Sequence, residues 1–242
     1  MTRRRWIADS FTETTASLIG PQAEHLVRVL RAQPGMQADV VADGRVYRAE
    51  TRTVSLEQVT FALLEEIVAE AALPITLLLA VFKFDRMEWA IEKATELGVA
   101  AIVPILARRT EKHLAQAAHK RLERWRRLSH EAAKQSRRAD LPIIGEPIAL
   151  TARLQQPSVA QRIVLAEDER NITLRQRVET AVASTESNLP DFELAIGPEG
   201  GWAPDELALF AKHNWHPASL GPRILRAETA AIAALAITSA LL

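Results

Sequence analysis

Phe192-Glu193-Leu194-Ala195-Ile196-Gly197-Pro198-Glu199-Gly200-Gly201-Trp202 is the stretch on which the reading of this chain turns. A short, mostly apolar run breaks into Gly-Pro, which predicts a buried strand ending in a tight loop. The pattern returns about twenty residues later, where Pro217 to Leu220 leads into Gly221-Pro222-Arg223-Ile224-Leu225-Arg226-Ala227-Glu228-Thr229-Ala230. Glycines at 197, 200 and 201 permit positive φ and remove side chains that would keep a ligand from the backbone, while Pro198 and Pro222 stiffen the turns. Loops of this kind grip a ligand through peptide N–H and C=O groups. Taken alone, the same residues also fit two plain structural turns at strand ends.

Outward from these loops the pattern is one of apolar strands alternating with helices, which predicts an α/β architecture. Ile75 to Val81 is a continuous apolar run of the parallel-sheet type. Asp85 followed by Glu88 predicts a capping box. Met87, Ala90, Ile91, Ala94 and Leu97 then form a helical stripe that stops at Gly98. Ala100 to Leu106 reads as the next strand, and a basic amphipathic helix follows over 113–138, with Leu114, Ala118, Leu122, Trp125 and Leu128 on its apolar side. Ile163 to Ala166 is a further strand, ending in Glu167-Asp168-Glu169. Helices are predicted over 170–180, over 204–212 with Pro204 first, and from about Glu228 in an Ala-rich terminal segment. Before Glu70-Ala71-Ala72-Leu73-Pro74 the chain reads instead as a small β-rich unit. A helix begins at Gly20-Pro21 and ends by Pro34-Gly35. Val40 to Ala42 and Arg45 to Ala49 flank an Asp43-Gly44 type I′ turn, and Gln58 to Leu64 is a third strand.

The 242 residues, 48% hydrophobic and 25% charged, suffice for one large or two modest domains. There is no cysteine, which excludes disulfides and thiolate metal sites. No apolar run is long enough to span a bilayer, and Met1 to Trp6 lacks the apolar core of a signal peptide. A cytoplasmic protein with no membrane partner is therefore expected. Net charge is zero, yet Arg3, Arg4 and Arg5 open the chain, and basic residues from Arg108 to Arg138 crowd one central stretch. Such runs fit either a solvated helix face or a surface for a polyanion. No Gly-x-Gly occurs, and no Gly-Lys-Ser/Thr follows Gly197, so neither a dinucleotide fingerprint nor a phosphate-binding loop is present. Glu167, Asp168 and Glu169 read as a solvated acidic turn rather than a divalent-ion site. His213 and His216 lack a third ligand, so no metal is expected. Trp89, Trp125 and Trp202 read as core or interface anchors rather than base-stacking platforms.

The two Gly-Pro segments, in this order, resemble the signature of the bacterial 16S ribosomal RNA uridine-N3 methyltransferases of the SPOUT superfamily. Glu92 to Val99 with Pro104, Arg124-Trp125 with Glu131 to Ser136, and His25 to Arg31 are similar to further family segments, so the resemblance spans nearly the whole chain. Arg137 departs from the family pattern, which has glycine after Gln-Ser. The resemblance implies a SPOUT-type knotted α/β domain with a deep trefoil knot over 73–242, preceded by a small PUA-like RNA-binding β-barrel over 1–72. It implies an S-adenosylmethionine-dependent homodimer that methylates N3 of a uridine in 16S rRNA, within the small ribosomal subunit. For the dimer, the apolar terminal helix from Ala230 to Leu242 is the expected buried element. Alternatives are a SPOUT enzyme acting on another RNA site, such as a tRNA ribose 2′-hydroxyl, and a non-catalytic RNA-binding module.

Cofactor contacts carried over from the resemblance are Ile196, Gly197, Pro198, Glu199, Gly200, Gly201, Leu220, Gly221, Arg223, Ile224 and Leu225. Expected RNA contacts are Arg3, Arg4, Arg5, Arg28, Arg31, Arg108, Arg137 and Arg138. Uridine N3 carries a proton at neutral pH, so the reaction needs a base or a cation that stabilises the developing anion. Glu199 is a candidate for the first role, with the alternative of a structural acceptor for neighbouring N–H groups. Arg226 and Arg109 are candidates for the second, with the alternative that Arg226 pairs with an acid such as Glu228.

Overall fold

A computed structural model describes residues 5–68, 71–136, 138–184 and 189–242. The chain divides into two compact units, Met1–Ala71 with Ala133–Leu141, and Ala72–Ala132 with Pro142–Leu242.

The described part of the first unit carries β1 (Arg5–Ile7), β2 (Ser10–Phe11), β3 (Thr15–Ile19), α1 (Pro21–Arg28), β4 (Gln37–Ala42), β5 (Arg45–Val54) and β6 (Gln58–Ile67). They form one sheet in the order β1-β4-β5-β6-β3-β2, antiparallel except for the parallel pair β1 and β4. The β4–β5 hairpin turns at Asp43 and Gly44, with φ of 51° and 70°, the two left-handed residues of the expected type I′ turn. Leu18, Val40, Ala49, Val59 and Phe61 fill the core against Ala23 and Leu26 of α1. That helix stops at Arg28, well short of Pro34, because the chain turns left-handed at Arg31 (φ 53°). Strands β1 to β3 have no signature in the sequence pattern, being short or without a clear period.

The second unit continues with β7 (Leu73–Ala80), α2 (Phe84–Glu96), β8 (Val99–Leu106), α3 (Lys112–Ser136), β9 (Ile143–Ile144), β10 (Ile148–Ala149) and α4 (Leu150–Leu154). Then come β11 (Gln161–Leu165), α5 (Leu174–Ala183), β12 (Phe192–Ile196), α6 (Pro204–Lys212), β13 (His216–Ala218) and α7 (Ala227–Ser239). The sheet is wholly parallel, in the order β10-β8-β7-β12-β11-β13, with β9 also on β8. Alternate residues of β7 serve its two faces. Ile75, Leu77 and Leu79 pack with α2, α3, α5 and α7, whereas Leu78 and Ala80 pack with α4 and α6. Glu193 is the charged exception inside β12. It is 5% exposed and paired with Arg153 (2.5 Å) and Arg162 (3.2 Å), which is what permits a carboxylate there.

Two local expectations are corrected. Asp85 does not cap α2. Lys83 is the N-cap residue, without a side-chain bond, and Glu88 instead binds Arg124 of α3 at 2.7 and 2.8 Å. Helix α5 starts at Leu174, not at Arg170, because Thr173 and Gln176 form a capping box there. Just before it, Glu169 accepts the N–H groups of Asn171 (2.7 Å) and Ile172 (3.1 Å), which holds its carboxyl below the ordinary carboxylate range. The terminal helix α7 is buried, as its apolar composition leads one to expect: Ala231, Ala234 and Leu235 pack against α2, α5 and the central strands.

Candidate functional site

Strands β11, β12 and β13 end side by side, and the loops beyond their carboxyl ends enclose a cavity of about 220 Å³. Open parallel sheets place ligands at this edge. The lining includes Gly197 to Trp202 after β12, Ser219 to Leu225 after β13, and Leu165 to Asp168 with Arg170 after β11. Ala227 and Ala230 of α7 close one side, and Arg109, from the loop after β8, reaches the wall.

The loop after β12 is tied down at several points. Trp202 is buried beneath it, donates Nε1–H to the Leu165 carbonyl at 3.1 Å, and meets Phe210 edge-on at 4.8 Å. A Cβ on Gly197 would lie 3.3 Å from the Trp202 indole, so glycine is needed there for packing. Gly201 has φ 69° and donates to the Pro198 carbonyl at 2.8 Å. Arg109 NH1 donates to the Gly200 carbonyl at 2.6 Å. At Gly200 itself a Cβ would make only ordinary contact with the Arg109 stem.

The loop after β13 is the reverse. From Leu220 to Leu225, the main-chain hydrogen bonds among the described residues are those of Gly221 with the Ser219 hydroxyl, N–H donated at 3.0 Å and C=O accepting at 3.4 Å. Gly221 has φ 111°, and a Cβ there would meet nothing within 4 Å. Ile224 is 79% exposed. Unpaired peptide groups beside apolar Ile196, Leu220 and Leu225 form an arrangement that suits a flat, hydrogen-bonding base. Carboxylates of Glu167 and Asp168, with guanidinium groups of Arg109, Arg170 and Arg223, suit a ligand bearing both signs of charge. S-adenosylmethionine, with its adenine, sulfonium, ammonium and carboxylate, fits this set. Among the described residues no group of three His, Asp or Glu is placed to hold a metal ion.

All eleven expected cofactor positions, Ile196 to Gly201, Leu220, Gly221 and Arg223 to Leu225, are brought to one cavity, as is Arg109. Arg226 is not in its wall. It is exposed at the N-cap of α7, and it does not pair with Glu228, whose carboxylate faces Arg86 instead. Among the described residues Glu199 accepts no backbone N–H; its carboxylate takes Arg86 Nη1 at 2.6 Å. Glu167 and Asp168, read from sequence as a solvated turn, are exposed yet line the cavity. Their position at the carboxyl end of β11, beside β12, was the signal that could have found them.

The expected RNA contacts are distributed differently. Arg3, Arg4 and Arg137 lie outside the described residues. Arg28 pairs with Glu24 at 3.1 Å, Arg31 is exposed, and Arg108 NH1 binds Asp205 at 2.5 Å. Arg138 is corrected as a phosphate contact: it is buried, with its guanidinium on Asp140. Trp89 is 46% exposed and is not a core anchor, whereas Trp125 is fully buried.

Residues 69–239 match the model of the RNA methyltransferase domain family. The chain is 37% identical over 239 residues to ribosomal RNA small subunit methyltransferase E of Synechocystis sp., covering 97% of this chain and 76% of that protein. The protein of the same name from Bacillus subtilis is 33% identical over 232 residues, covering 93% of this chain and 90% of its own. A crystal structure of ribosomal RNA small subunit methyltransferase E from Neisseria gonorrhoeae, bound to S-adenosyl methionine, matches with a TM-score of 0.79 and 26% identity. It covers 99% of this chain and 98% of that one.

Proposed function

We infer the activity from one premise: the chain belongs to the RNA methyltransferase family, among the ribosomal RNA small subunit methyltransferases E. It is an S-adenosylmethionine-dependent methyltransferase of 16S ribosomal RNA. The observation that carries this reading is the single cavity built by both Gly-Pro loops, in a chain similar over nearly its whole length to a protein that holds this cofactor.

The finer reading is that the target atom is N3 of a uridine, presented in the small ribosomal subunit, and that the enzyme works in the cytoplasm, where that substrate is. Bound in the cavity, the cofactor supplies an electrophilic methyl group on a sulfonium. The chain's part is to hold it by the main chain of Leu220 to Leu225 and the loop at Gly197 to Gly201. Stabilising the uridine anion falls to a cation. Arg109 at the cavity wall and Arg226, unpaired among the described residues, are the candidates. Glu199 is assigned the holding role, because Arg86 occupies its carboxylate.

A PUA-like fold for the first unit is supported by its six-stranded, largely antiparallel sheet. The trefoil knot is supported by the course of α7. After β13 at the far edge, the chain returns to lay α7 on β7 and β12, in contact with both α2 and α5. Homodimer formation rests on the family resemblance, with exposed Trp89 and Ile224 as apolar surface available to it.

The deciding experiment is methylation of small ribosomal subunits with labelled cofactor, followed by mapping of the modified nucleoside. N3-methyluridine is expected. A ribose-methylated product points to the other RNA-directed reading, and cofactor binding without incorporation to a non-catalytic module. Glu199→Gln is expected to weaken cofactor affinity more than it lowers the single-turnover rate at saturating cofactor. The opposite split would return Glu199 to the role of base.

A further inference from the structure

Both oxygens of Glu199 face cations from the start of α2. Arg86 NH1 donates to Oε1 at 2.6 Å, and Lys83 Nζ lies 3.9 Å from Oε2. Lys83 is the N-cap residue of α2 and Arg86 its third helical residue, so both cations are carried by the start of that helix. Arg86 faces a second acid. Its Nε lies 3.9 Å from Oε1 of Glu228, a buried residue in the first turn of α7 whose Oε2 has no hydrogen-bond partner among the described residues. One guanidinium thereby links the loop after β12, the start of α2 and the start of α7. Two of these, the loop and α7, form cavity wall.

The loop needs such a link. Three of the five residues from Gly197 to Gly201 are glycine, and a glycine-rich segment loses more conformational entropy on ordering than any other. We propose that Arg86 is a positioning residue for the methyl transfer, fixing the Gly197–Gly201 loop against α7 by holding Glu199 on one side and Glu228 on the other. It acts on the cofactor only through that loop. The proposal rests on the reading of the cavity as the cofactor site. Removing the guanidinium leaves Glu199 with Lys83 alone and Glu228 buried without compensation, so the loop and α7 lose their common tie. Lysine restores the charge but not the planar fork that serves two acids at once.

The full-length chain is compared with Arg86→Met, Arg86→Lys, Glu199→Gln and the Arg86→Met/Glu199→Gln double variant. Two quantities are read: hydrogen exchange at residues 197–203 without any ligand, and S-adenosylmethionine affinity by calorimetry. Arg86→Met is expected to speed loop exchange and to weaken cofactor binding about tenfold, the equivalent of roughly 1.4 kcal/mol. Arg86→Lys recovers part of that affinity, and the double variant binds no more weakly than Arg86→Met, because both changes break the same link. Glu179→Gln, which breaks the exposed pair with Arg175 on α5, leaves both quantities unchanged. Unchanged exchange and affinity in Arg86→Met overturn the proposal, as do losses that multiply in the double variant. If Arg86→Met does not fold, Arg86→Lys and Glu199→Gln carry the same two measurements. A parent protein that fails to bind the cofactor sinks the site reading, while the exchange arm still decides whether Arg86 holds the loop.

Discussion

Between Gly197 and Ala203 the chain is tied to its surroundings by Trp202 below, Arg109 and Arg86 beside it, and its own Pro198–Gly201 turn. Between Leu220 and Leu225 its peptide groups are unpaired among the described residues but for those of Gly221 with the Ser219 hydroxyl. Both loops announce themselves in sequence as an apolar run breaking into Gly-Pro. The difference shows that glycine does two jobs here. At Gly197 it makes room for an indole of the protein itself, and at Gly221 it leaves the backbone open to a ligand.

The largest expected effect lies in the open loop. Gly221→Val adds a branched side chain at φ 111°, on backbone that lines the cavity, and nothing within 4 Å crowds the position. Cofactor affinity should fall at least about a hundredfold, roughly 2.7 kcal/mol, more than the stability loss of about 1–3 kcal/mol that a branched residue at this positive φ brings with it. Calorimetry showing parental affinity would mean that the open side of this loop does not face the cofactor.

In the tied loop the order of effects reverses. Gly197→Ala brings a Cβ to 3.3 Å from the Trp202 ring, so the indole must move within a packed cluster that includes Phe210 and Trp215. A stability loss of about 1–2 kcal/mol is expected in urea titration, with cofactor affinity declining only as far as the loop shifts. Gly200→Ala, where the added atom has ordinary room, should cost neither. Binding lost without any loss of stability in Gly197→Ala would erase the contrast between the loops.

The smallest effect concerns the loop after β11, which is held by a side chain as the first loop is. Backbone N–H groups from Asn171 and Ile172 keep the Glu169 carboxyl below its ordinary range in the folded chain. A carboxyl with a lowered folded-state value contributes stability above its unfolded-state value and loses it as pH falls through the folded one. Glu169→Gln should therefore flatten the acid side of the stability profile and leave the neutral side nearly unchanged. The group lies at the surface, so the change is small; an acid slope identical to the parent's would show that these bonds do not couple to folding.

Much of this was readable in advance where local chemistry and burial agree. Helix α6 runs from Pro204 to Lys212 as its opening proline and acidic first turn require, and β12 keeps the bounds of its apolar run. What could not be read was set by partners distant in sequence. Glu88 has capping-box spacing from Asp85, yet Arg124 thirty-six residues on takes its carboxylate. Glu199 read as a candidate base or as an acceptor for its own loop, and only the fold brings Arg86, one hundred and thirteen residues away, to its side. Glu167 and Asp168 gave no local sign of lining a cavity, since strand order rather than composition put β11 beside β12. The two cavity loops were thus legible as motifs, whereas the charges that hold or surround them were not.

Residues 133–141 belong to the first unit although they follow the opening third of the second, and Ala139 packs there against Val41 and Val46. The amino-terminal unit is therefore not finished when its last strand has been made. During synthesis it must wait, with Val41 and Val46 lacking a neighbour, until more than sixty further residues, including nearly all of α3, have left the ribosome. Cutting the gene after residue 71 would yield a sheet without residues 133–141, so the first unit is completed only after the opening part of the second has been made.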